Sequence, residues 1–459
     1  MLVVGRIQDR GLARRVKRAM RSSSPLPVYS INAPASVEGI DWSDHYNYWK
    51  QGYPALMITD TGPNRNREYH KAGDTADRLD YIRMAMVVQG VYAAVLNAAS
   101  KPSQELAMSK SQDYFSTDYF TARTRFRQAV EKAGGRLESL PLDAKGPGDE
   151  DLGIDIGWFG PENPRRVLLH SSGLHGVEGF AGSAVQLQLL DDLPQLPADT
   201  ALVLVHVLNP YGMAWFRRVN ENNVDLNRNF LGDAEYSGAP EAYPNLDTFL
   251  NPQSPPSWDA FYLKAGWLIL RYGFPALKQA VAGGQYEYPK GLFFGGKRLQ
   301  QGPEKCQAFL AERLGTADQV VVIDVHTGLG KYGEDALLVE KKEYKTLRQI
   351  FGERVTPSEP EESPAYRVRG GIDSMIPRVL GKAHVYCLCQ EFGTYSSTEV
   401  LYALREENRW HHYGDGTIDH PTKRELKRAF GPDDRAWQNA VLFRGKELVQ
   451  EAVEFLSKP

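Results

Sequence analysis

Four short runs of almost unbroken apolar residues restrict the fold of this chain most strongly. They are RVLLH at 166–170, ALVLVHVL at 201–208, VVVIDV at 320–325 and VYCLCQE at 385–391. A strand with one face in water alternates apolar and polar residues, whereas a strand covered on both faces does not. Helix-like segments separate the runs, which is typical of a sheet packed between helices. The sequence therefore predicts an α/β fold with helices on both sides of a sheet.

The first hundred residues carry a shorter pattern of the same kind. Apolar runs and helix-like segments alternate there in the order strand, helix, strand, strand, helix. The polar, Ser-rich stretch from Ser100 to Asp118 that follows has the composition of a linker. We therefore place a domain boundary near residue 105, with a small α/β segment at 1–104 and the main domain at 105–459.

Charge and composition limit the kinds of partner. The 459 residues include 54 Lys and Arg against 57 Asp and Glu, a formal net charge of −3, and no long run of one sign. Proteins that bind nucleic acids or membrane surfaces carry basic patches, so neither partner is expected. Three cysteines are too few for a disulfide framework, which favours a reducing, cytoplasmic location. These features favour a small molecule or peptide as the partner and leave the oligomeric state open.

Residues with metal-binding chemistry follow two of the apolar runs. His175 and Glu178 come after the first run with spacing i, i+3, so a helical turn can direct both side chains at one cation. His326 follows the third run. Two histidines and one carboxylate, with a position left open for water, are a known ligand set of catalytic zinc. A histidine at a strand end can also be a structural cap, so both interpretations stay open on spacing alone.

A second group of residues suits an amide substrate. A segment rich in Arg and Asn follows the second run and contains Arg217, Arg218, Asn227 and Arg228. Guanidinium groups bind carboxylates or a developing oxyanion, and side-chain amides add oriented donors. Glu391 ends the fourth run, where a carboxylate could act as a general base. A solvated Arg/Asn loop is the alternative interpretation of the same segment.

Together, these segments resemble the zinc carboxypeptidase family, of which carboxypeptidase A is the familiar member. Four motifs occur in family order, namely HGVE at 175–178, VDLNRNF at 224–230, the strand-end histidine at 326 and QEFGT at 390–394. VDLNRNF is the most specific of them, and the resemblance covers about residues 105–459. It points to a poorly characterised bacterial branch and implies the three-layer α/β/α zinc-peptidase fold, also described as phosphorylase/hydrolase-like.

The resemblance also implies a metal centre. It assigns one zinc ion per chain to His175, Glu178 and His326, and it assigns to Glu391 the transfer of a proton from water. The implied activity is hydrolysis of a C-terminal peptide bond or of a similar amide next to a free carboxylate. The expected partner is therefore a peptide or acyl-amino-acid substrate with a free carboxylate.

Further residues of the same resemblance would contact the substrate. Arg218 matches the oxyanion-stabilising arginine, and Arg217 is an equally placed alternative. Asn227 and Arg228 match the pair that binds a terminal carboxylate. Tyr366 begins a segment, YRVRGG, that is similar to the family's mobile tyrosine segment.

Two other functions share these motifs. A zinc deacylase of N-acyl amino acids, similar to aspartoacylase or succinylglutamate desuccinylase, uses the same metal chemistry and a similar Asp-Leu-Asn-Arg segment. A catalytically inactive module that binds carboxylates is the third alternative, and the complete ligand set argues against it. The shape of the cleft separates the first two, since a closed pocket favours small acyl amino acids and an open groove favours peptides.

Residues 1–100 resemble a different family, the C-terminal part of the two-zinc aminopeptidases. The matching motifs are SDH at 43–45, GYPA at 52–55 and YHKAGDT at 69–75. His70 matches that family's last zinc ligand, whereas the other ligands belong to an upstream half. Because one imidazole cannot hold two zinc ions, we expect a non-catalytic fragment.

One stretch of the main domain is too long for an ordinary loop. Residues 231–260 are Pro-rich and weakly patterned, and loops of that length usually have a function. We expect an insertion there that lines a functional face.

Overall fold

The computed structural model of this chain describes residues 1–23, 26–34, 37, 39–51, 53–62, 66–99, 114–358 and 369–458. It divides into two compact units, Met1–Leu106 and Ala107–Pro459. Most of the Ser-rich stretch that suggests a linker lies outside the described residues. Within the described part, none of the helices has the length and apolar character that crossing a lipid bilayer requires.

A three-stranded sheet forms the centre of the first unit. β1 (Leu2–Gly5) lies between β2 (Tyr29–Asn32), which is parallel to it, and β3 (Met57–Thr59), which is antiparallel. The α-helices among the described residues of this unit are α1 (Arg10–Ser23), α2 (His45–Lys50) and α3 (Tyr81–Ala99). The predicted order of strands and helices is confirmed, with the short helix α2 as an addition that the apolar pattern did not indicate.

An eight-stranded mixed sheet forms the middle of the second unit. Its strands are β4 (Arg136–Lys145), β5 (Asp151–Phe159), β6 (Arg166–Ser172), β7 (Thr200–His206), β8 (Gln319–Thr327), β9 (Asp335–Val339), β10 (Val355–Pro357) and β11 (His384–Phe392). They lie in the order β10-β9-β11-β8-β6-β7-β5-β4. The four predicted apolar runs form the four central strands, β11, β8, β6 and β7, which are parallel to one another.

Helices cover this sheet and continue beyond it. In chain order they are α4 (Tyr119–Lys132), α5 (Gly179–Asp191), α6 (Pro210–Ala214), α7 (Tyr243–Leu250), α8 (Phe261–Tyr272), α9 (Phe274–Ala282), α10 (Gln301–Leu314), α11 (Tyr344–Phe351), α12 (Ile372–Val379), α13 (Ser397–Tyr413), α14 (Pro421–Phe430) and α15 (Arg435–Leu456). The Pro-rich stretch 231–260 contains α7 and leads directly into α8.

Alternate side chains of the central strands face two separate cores. Leu168 and Val321 pack with residues of α4, α5 and α15 on one face of the sheet. Val167 and Val320 pack with residues of α10 and α12 on the other face. Because successive side chains of a strand point to opposite faces, a strand buried on both sides has to be apolar throughout. The predicted three-layer α/β fold is therefore confirmed.

Candidate metal centre

Two neighbouring strands bring the predicted metal ligands together. β6 and β8 are parallel and pair directly, so their carboxyl ends lie side by side. His175 and Glu178 follow β6 in a tight turn, and His326 is near the end of β8. Gly176 allows this turn to pack closely, because a Cβ there would lie 2.2 Å from the backbone of Gly212. All three predicted ligands are buried.

Their donor atoms converge on one point. His175 Nδ1 is 3.0 Å from one Glu178 carboxylate oxygen, and His326 Nδ1 is 3.1 Å from the other. The two Nδ1 atoms are 3.2 Å apart. Ligand atoms around a tetrahedral zinc ion, each about 2.0–2.1 Å from the metal, are separated by about 3.3 Å. The group therefore matches the geometry of a small divalent cation held by two imidazoles and one carboxylate.

Each imidazole is oriented by a second carboxylate. His175 Nε2 lies 3.0 Å from Asp225 Oδ1, and His326 Nε2 lies 2.6 Å from Asp324 Oδ2. At His326, a proton held on Nε2 by Asp324 leaves the Nδ1 lone pair directed at the convergence point, as in metal-binding histidines; at His175, Arg218 Nη2 also lies 2.8 Å from Nε2. Neither aspartate is among the site residues predicted from the motifs. Strand alternation could have indicated Asp324, since it lies two residues before His326 on the same face of β8.

Adjacent arginines point to different parts of the protein. Arg218 Nη1 is 2.5 Å from Glu178 Oε1, and its guanidinium lies over the ring of Phe293. Arg217 is fully buried, and its Nε is 2.9 Å from Glu407 Oε1. The structure thus pairs the Arg217 charge inside the fold, and a contact of Arg217 with the substrate stays a prediction. Arg218 is the arginine beside His175, Glu178 and His326, which we call the metal-type group.

The predicted carboxylate-binding pair is separated in the structure. Asn227 lines the same cavity as Glu178, and its side-chain oxygen accepts a hydrogen bond from the Ile372 N–H. Arg228 is fully buried and donates to the carbonyl oxygen of Ala282 at 2.6 Å. Its guanidinium also contacts Asp225 at 3.3 Å. Arg228 thus contacts Asp225 and the Ala282 carbonyl in this structure, and its role in substrate binding stays a prediction.

Glu391 lies on β11 opposite His326 in the strand register and lines the cavity. Its Oε1 accepts a hydrogen bond from the Leu329 N–H at 2.8 Å. Burial, and then the nearby Glu178 carboxylate, raise the pKa of Glu391 to about 7, while His326 lowers it. For Glu178, burial raises the pKa, but His175 and Arg218 together bring it below its ordinary value. One carboxylate thus favours its charged form, while the other can exchange a proton near neutral pH.

Two further predicted residues remain, one outside the described residues and one in the first unit. Tyr366 lies outside the described residues. His70, in the first unit, is exposed and stacks on the ring of Tyr69 at 4.1 Å. Among the residues that the structure describes, His70 belongs to no cluster of metal-binding side chains, whereas His175, Glu178 and His326 form one.

A cavity of about 790 Å³ opens at the metal-type group. Arg218, Asn227 and Glu391 line it together with the three predicted ligands. Residues of α7, α8 and α9 form much of the remaining wall, including Lys278, which no sequence motif indicated. The insertion predicted at 231–260 therefore contributes to the wall of this cavity through α7.

Known proteins match different parts of this chain. The uncharacterized protein YfbL of Escherichia coli strain K12 is 56% identical over 96 residues, which are 21% of this chain and 30% of that protein. The chain thus spans less than a third of the length of that curated relative.

Three solved structures are among those similar to this chain. Murein-tripeptide amidase MpaA from Escherichia coli O157 has 16% identity and a TM-score of 0.29, covering 60% of this chain and 92% of its own. Bovine thrombin-activatable fibrinolysis inhibitor in complex with tick carboxypeptidase inhibitor has 11% identity and a TM-score of 0.36, with coverages of 73% and 98%. An aspartoacylase family protein from Mesorhizobium loti has 14% identity and a TM-score of 0.31, with coverages of 61% and 67%.

A family described as "Protein of unknown function (DUF2817)" matches residues 115–444. This range contains every strand of the eight-stranded sheet, all three converging ligands, Arg218 and Glu391. The match extends over most of the chain. The chain therefore belongs to the DUF2817 family.

Proposed function

We propose that this protein is a zinc-dependent hydrolase that cleaves an amide bond next to a free carboxylate. The observation that carries the proposal is the convergence of His175, Glu178 and His326 within 3.0–3.2 Å of one another, in a cavity that also contains Glu391. Buried polar groups in a cavity, with shifted pKa values and a metal-type geometry, are typical of active sites. A purely structural cluster would not need to face a cavity.

The three converging residues would hold the metal. Zinc at such a site polarises a carbonyl and lowers the pKa of water toward about 7. Two imidazoles and one carboxylate carry a single negative charge, so a divalent ion would keep a net positive charge there. Asp225 and Asp324 would hold the two imidazole rings in the orientation that binding requires.

Glu391 and Arg218 would act on the substrate. Glu391 can accept a proton from the attacking water and deliver it to the nitrogen of the leaving amine, because its carboxylate lines the cavity together with the three converging residues. Arg218 lines the same cavity and can donate to the oxygen of the tetrahedral intermediate. Hydrolysis then adds one water across the C–N bond and yields a carboxylic acid and an amine.

Two activities fulfil this description. The motifs favour a metallocarboxypeptidase, which releases a C-terminal amino acid. The large apolar part of the cavity is a specific observation in favour of the second activity, deacylation of N-acyl amino acids.

Metal analysis together with a substrate screen tests the proposal. The purified protein should contain about one zinc per chain by mass spectrometry, and removal of zinc by a chelator should abolish hydrolysis of peptides or N-acyl amino acids until zinc is restored. A protein that binds no divalent metal after zinc is added would contradict the proposal. Hydrolysis that continues unchanged without metal would contradict it as well.

A further inference from the structure

Two chemically different parts of the cavity wall concern the substrate, and further lining residues, among them residues 338–342 and Val400, Leu401 and Leu404 of α13, complete the wall. One part consists of the metal-type residues with Arg218 and Glu391, which come from the ends of strands and the loops that follow them. The other part is a wall built by the consecutive helices α7, α8 and α9. We call this second part the helical chamber. Its lining residues include Leu246, Phe249, Leu268, Ile269, Leu277 and Val281.

Helical periodicity produces the apolar wall. Ala265, Leu268 and Ile269 of α8 have spacing i, i+3, i+4 and line the chamber, and Leu277 and Val281 of α9 are four residues apart. Residues with such spacing share one face of a helix. Ala265 is buried, and its side chain is a single methyl group. The small side chain therefore keeps the chamber open.

Lys278 adds a charged side chain to the wall of the helical chamber. Among the described lining residues of α7, α8 and α9, it is the charged one. Burial lowers the pKa of Lys278, whereas the Glu391 carboxylate raises it. Lys278 and Glu391 both line the cavity, so the helical chamber and the predicted general base belong to one continuous space.

The chamber suits a group without backbone amides. A peptide chain inside it would bury N–H and C=O groups against aliphatic and aromatic side chains, and buried polar groups without partners cost free energy. An alkyl chain has no such groups and gains affinity with each methylene that leaves water. The cavity of about 790 Å³ is also large, since sites for drug-sized ligands measure roughly 300–1,000 Å³.

We propose that the substrate is an N-acyl amino acid whose acyl group is a medium or long alkyl chain enclosed by α7, α8 and α9. This inference rests on the proposed function, because it concerns the same site. The amide carbonyl lies at the metal-type group, and the alkyl chain extends into the helical chamber. Hydrolysis consumes one water and yields a fatty acid and an amino acid, with the proton of the water transferred to the leaving nitrogen.

Chain-length dependence of hydrolysis is the first test. The acetyl, butanoyl and octanoyl derivatives of one amino acid are compared by kcat/KM with the zinc-loaded protein. Each added methylene should raise kcat/KM by about fourfold until the chamber is filled, so the octanoyl compound, with six more methylenes, should exceed the acetyl compound by up to about 4,000-fold. Equal values for the acetyl and octanoyl compounds would overturn the inference. So would a peptide substrate with a higher kcat/KM than the octanoyl compound.

Variants at two positions of α8 distinguish an effect on the chamber from a general effect on the protein. Ala265→Trp fills the chamber and should remove most of the chain-length preference, with Ala265→Leu as a milder variant if the tryptophan prevents folding. Leu270→Trp is the matched control, because Leu270 lies on α8 but is 88% exposed. It should keep the preference of the parent protein. An unchanged preference in both Ala265 variants would overturn the inference.

Binding of the product tests the chamber without any chemistry. Octanoate and acetate are titrated calorimetrically into the same proteins, and octanoate should bind at least about tenfold more tightly to the parent protein and to Leu270→Trp. The Ala265 variants should lose that difference. If no amide is hydrolysed while octanoate binds in this manner, the proposed function fails and the chamber assignment stands. If amides are hydrolysed and octanoate binding does not depend on Ala265, the chamber assignment fails and the proposed function stands.

Discussion

Two buried groups of charged residues lie side by side in the second unit and differ in what their charges face. In the metal-type group, His175, Glu178 and His326 direct three electron-pair donors at one point beside a cavity. In the second group, Glu407 lies 2.9 Å from Arg217 and 2.7 Å from Lys423, so opposite charges face each other directly. We call this second cluster the Glu407 group.

The difference shows which property indicates a functional site. Both groups are buried, and both contain charges that are costly to remove from water. In the Glu407 group, the attraction between opposite charges offsets that cost within the protein. In the metal-type group, donors of the same kind lie about 3 Å apart, and a bound cation would offset their repulsion. Electron-pair donors that converge on a cavity therefore indicate a metal-binding or catalytic site, whereas buried charge alone does not.

Loss of a ligand from the metal-type group should have the largest effect. His175→Ala and His326→Ala each remove one of three donors, so zinc content should fall from about one ion per chain to nearly none. Elemental analysis of the folded variants measures this. Full zinc occupancy in both variants would show that the ligand assignment is wrong, and two ions per chain in the parent protein would indicate a second site.

Glu391→Gln should abolish turnover without loss of metal. An amide cannot accept the proton of the attacking water, and general-base catalysis contributes about 10²–10⁴-fold to rate. The variant should therefore retain zinc and lose activity by a factor in that range on a substrate found by screening. Activity near that of the parent protein would exclude the general-base role.

The adjacent arginines allow a direct comparison of the two groups. Arg218→Ala should lower kcat by about 100-fold or more, because one oxyanion donor contributes about 3 kcal/mol. Arg217→Ala should instead reduce the free energy of unfolding by about 3 kcal/mol, since Glu407 loses one of its buried partners. Activity per folded, zinc-loaded molecule and urea denaturation separate the two effects. If Arg217→Ala lowers kcat as much as Arg218→Ala does, the assignment of the two arginines to different groups is wrong.

The Glu407 group should also affect stability in acid. Burial, and then Arg217, lower the pKa of His411 to about 3. Because the unfolded chain binds a proton at a pKa near 6.5 and the folded protein does not, stability should fall as pH decreases from about 6.5 toward 3. His411→Gln should reduce the difference in stability between pH 7 and pH 5 by about 1–2 kcal/mol. An identical difference in both proteins would contradict this effect.

His70→Ala should have the smallest effect. His70 is exposed in the first unit and lies in no described metal-binding cluster. Zinc content and kcat/KM should match those of the parent protein. A loss of activity greater than about tenfold, or about 1.4 kcal/mol of barrier, would show that the first unit takes part in the reaction.

The sequence by itself determined the strands and the identities of the converging ligands. The four apolar runs are recognisable because burial on both faces requires apolar residues at every position. His175, Glu178 and His326 follow runs that become neighbouring parallel strands, and parallel strands end at the same edge of a sheet. Both inferences depend on local pattern and on a general rule of sheet geometry.

The tertiary structure alone decided where the neighbouring side chains point. Arg217 and Arg218 are consecutive in the chain, yet one contacts Glu407 and the other contacts Glu178. Arg228 lies in the most specific motif and is nevertheless buried against the Ala282 carbonyl. These directions depend on partners that are up to 190 residues away in the chain. Because the residues between a side chain and its partner do not encode that contact as a local pattern, only the packed fold can assign it.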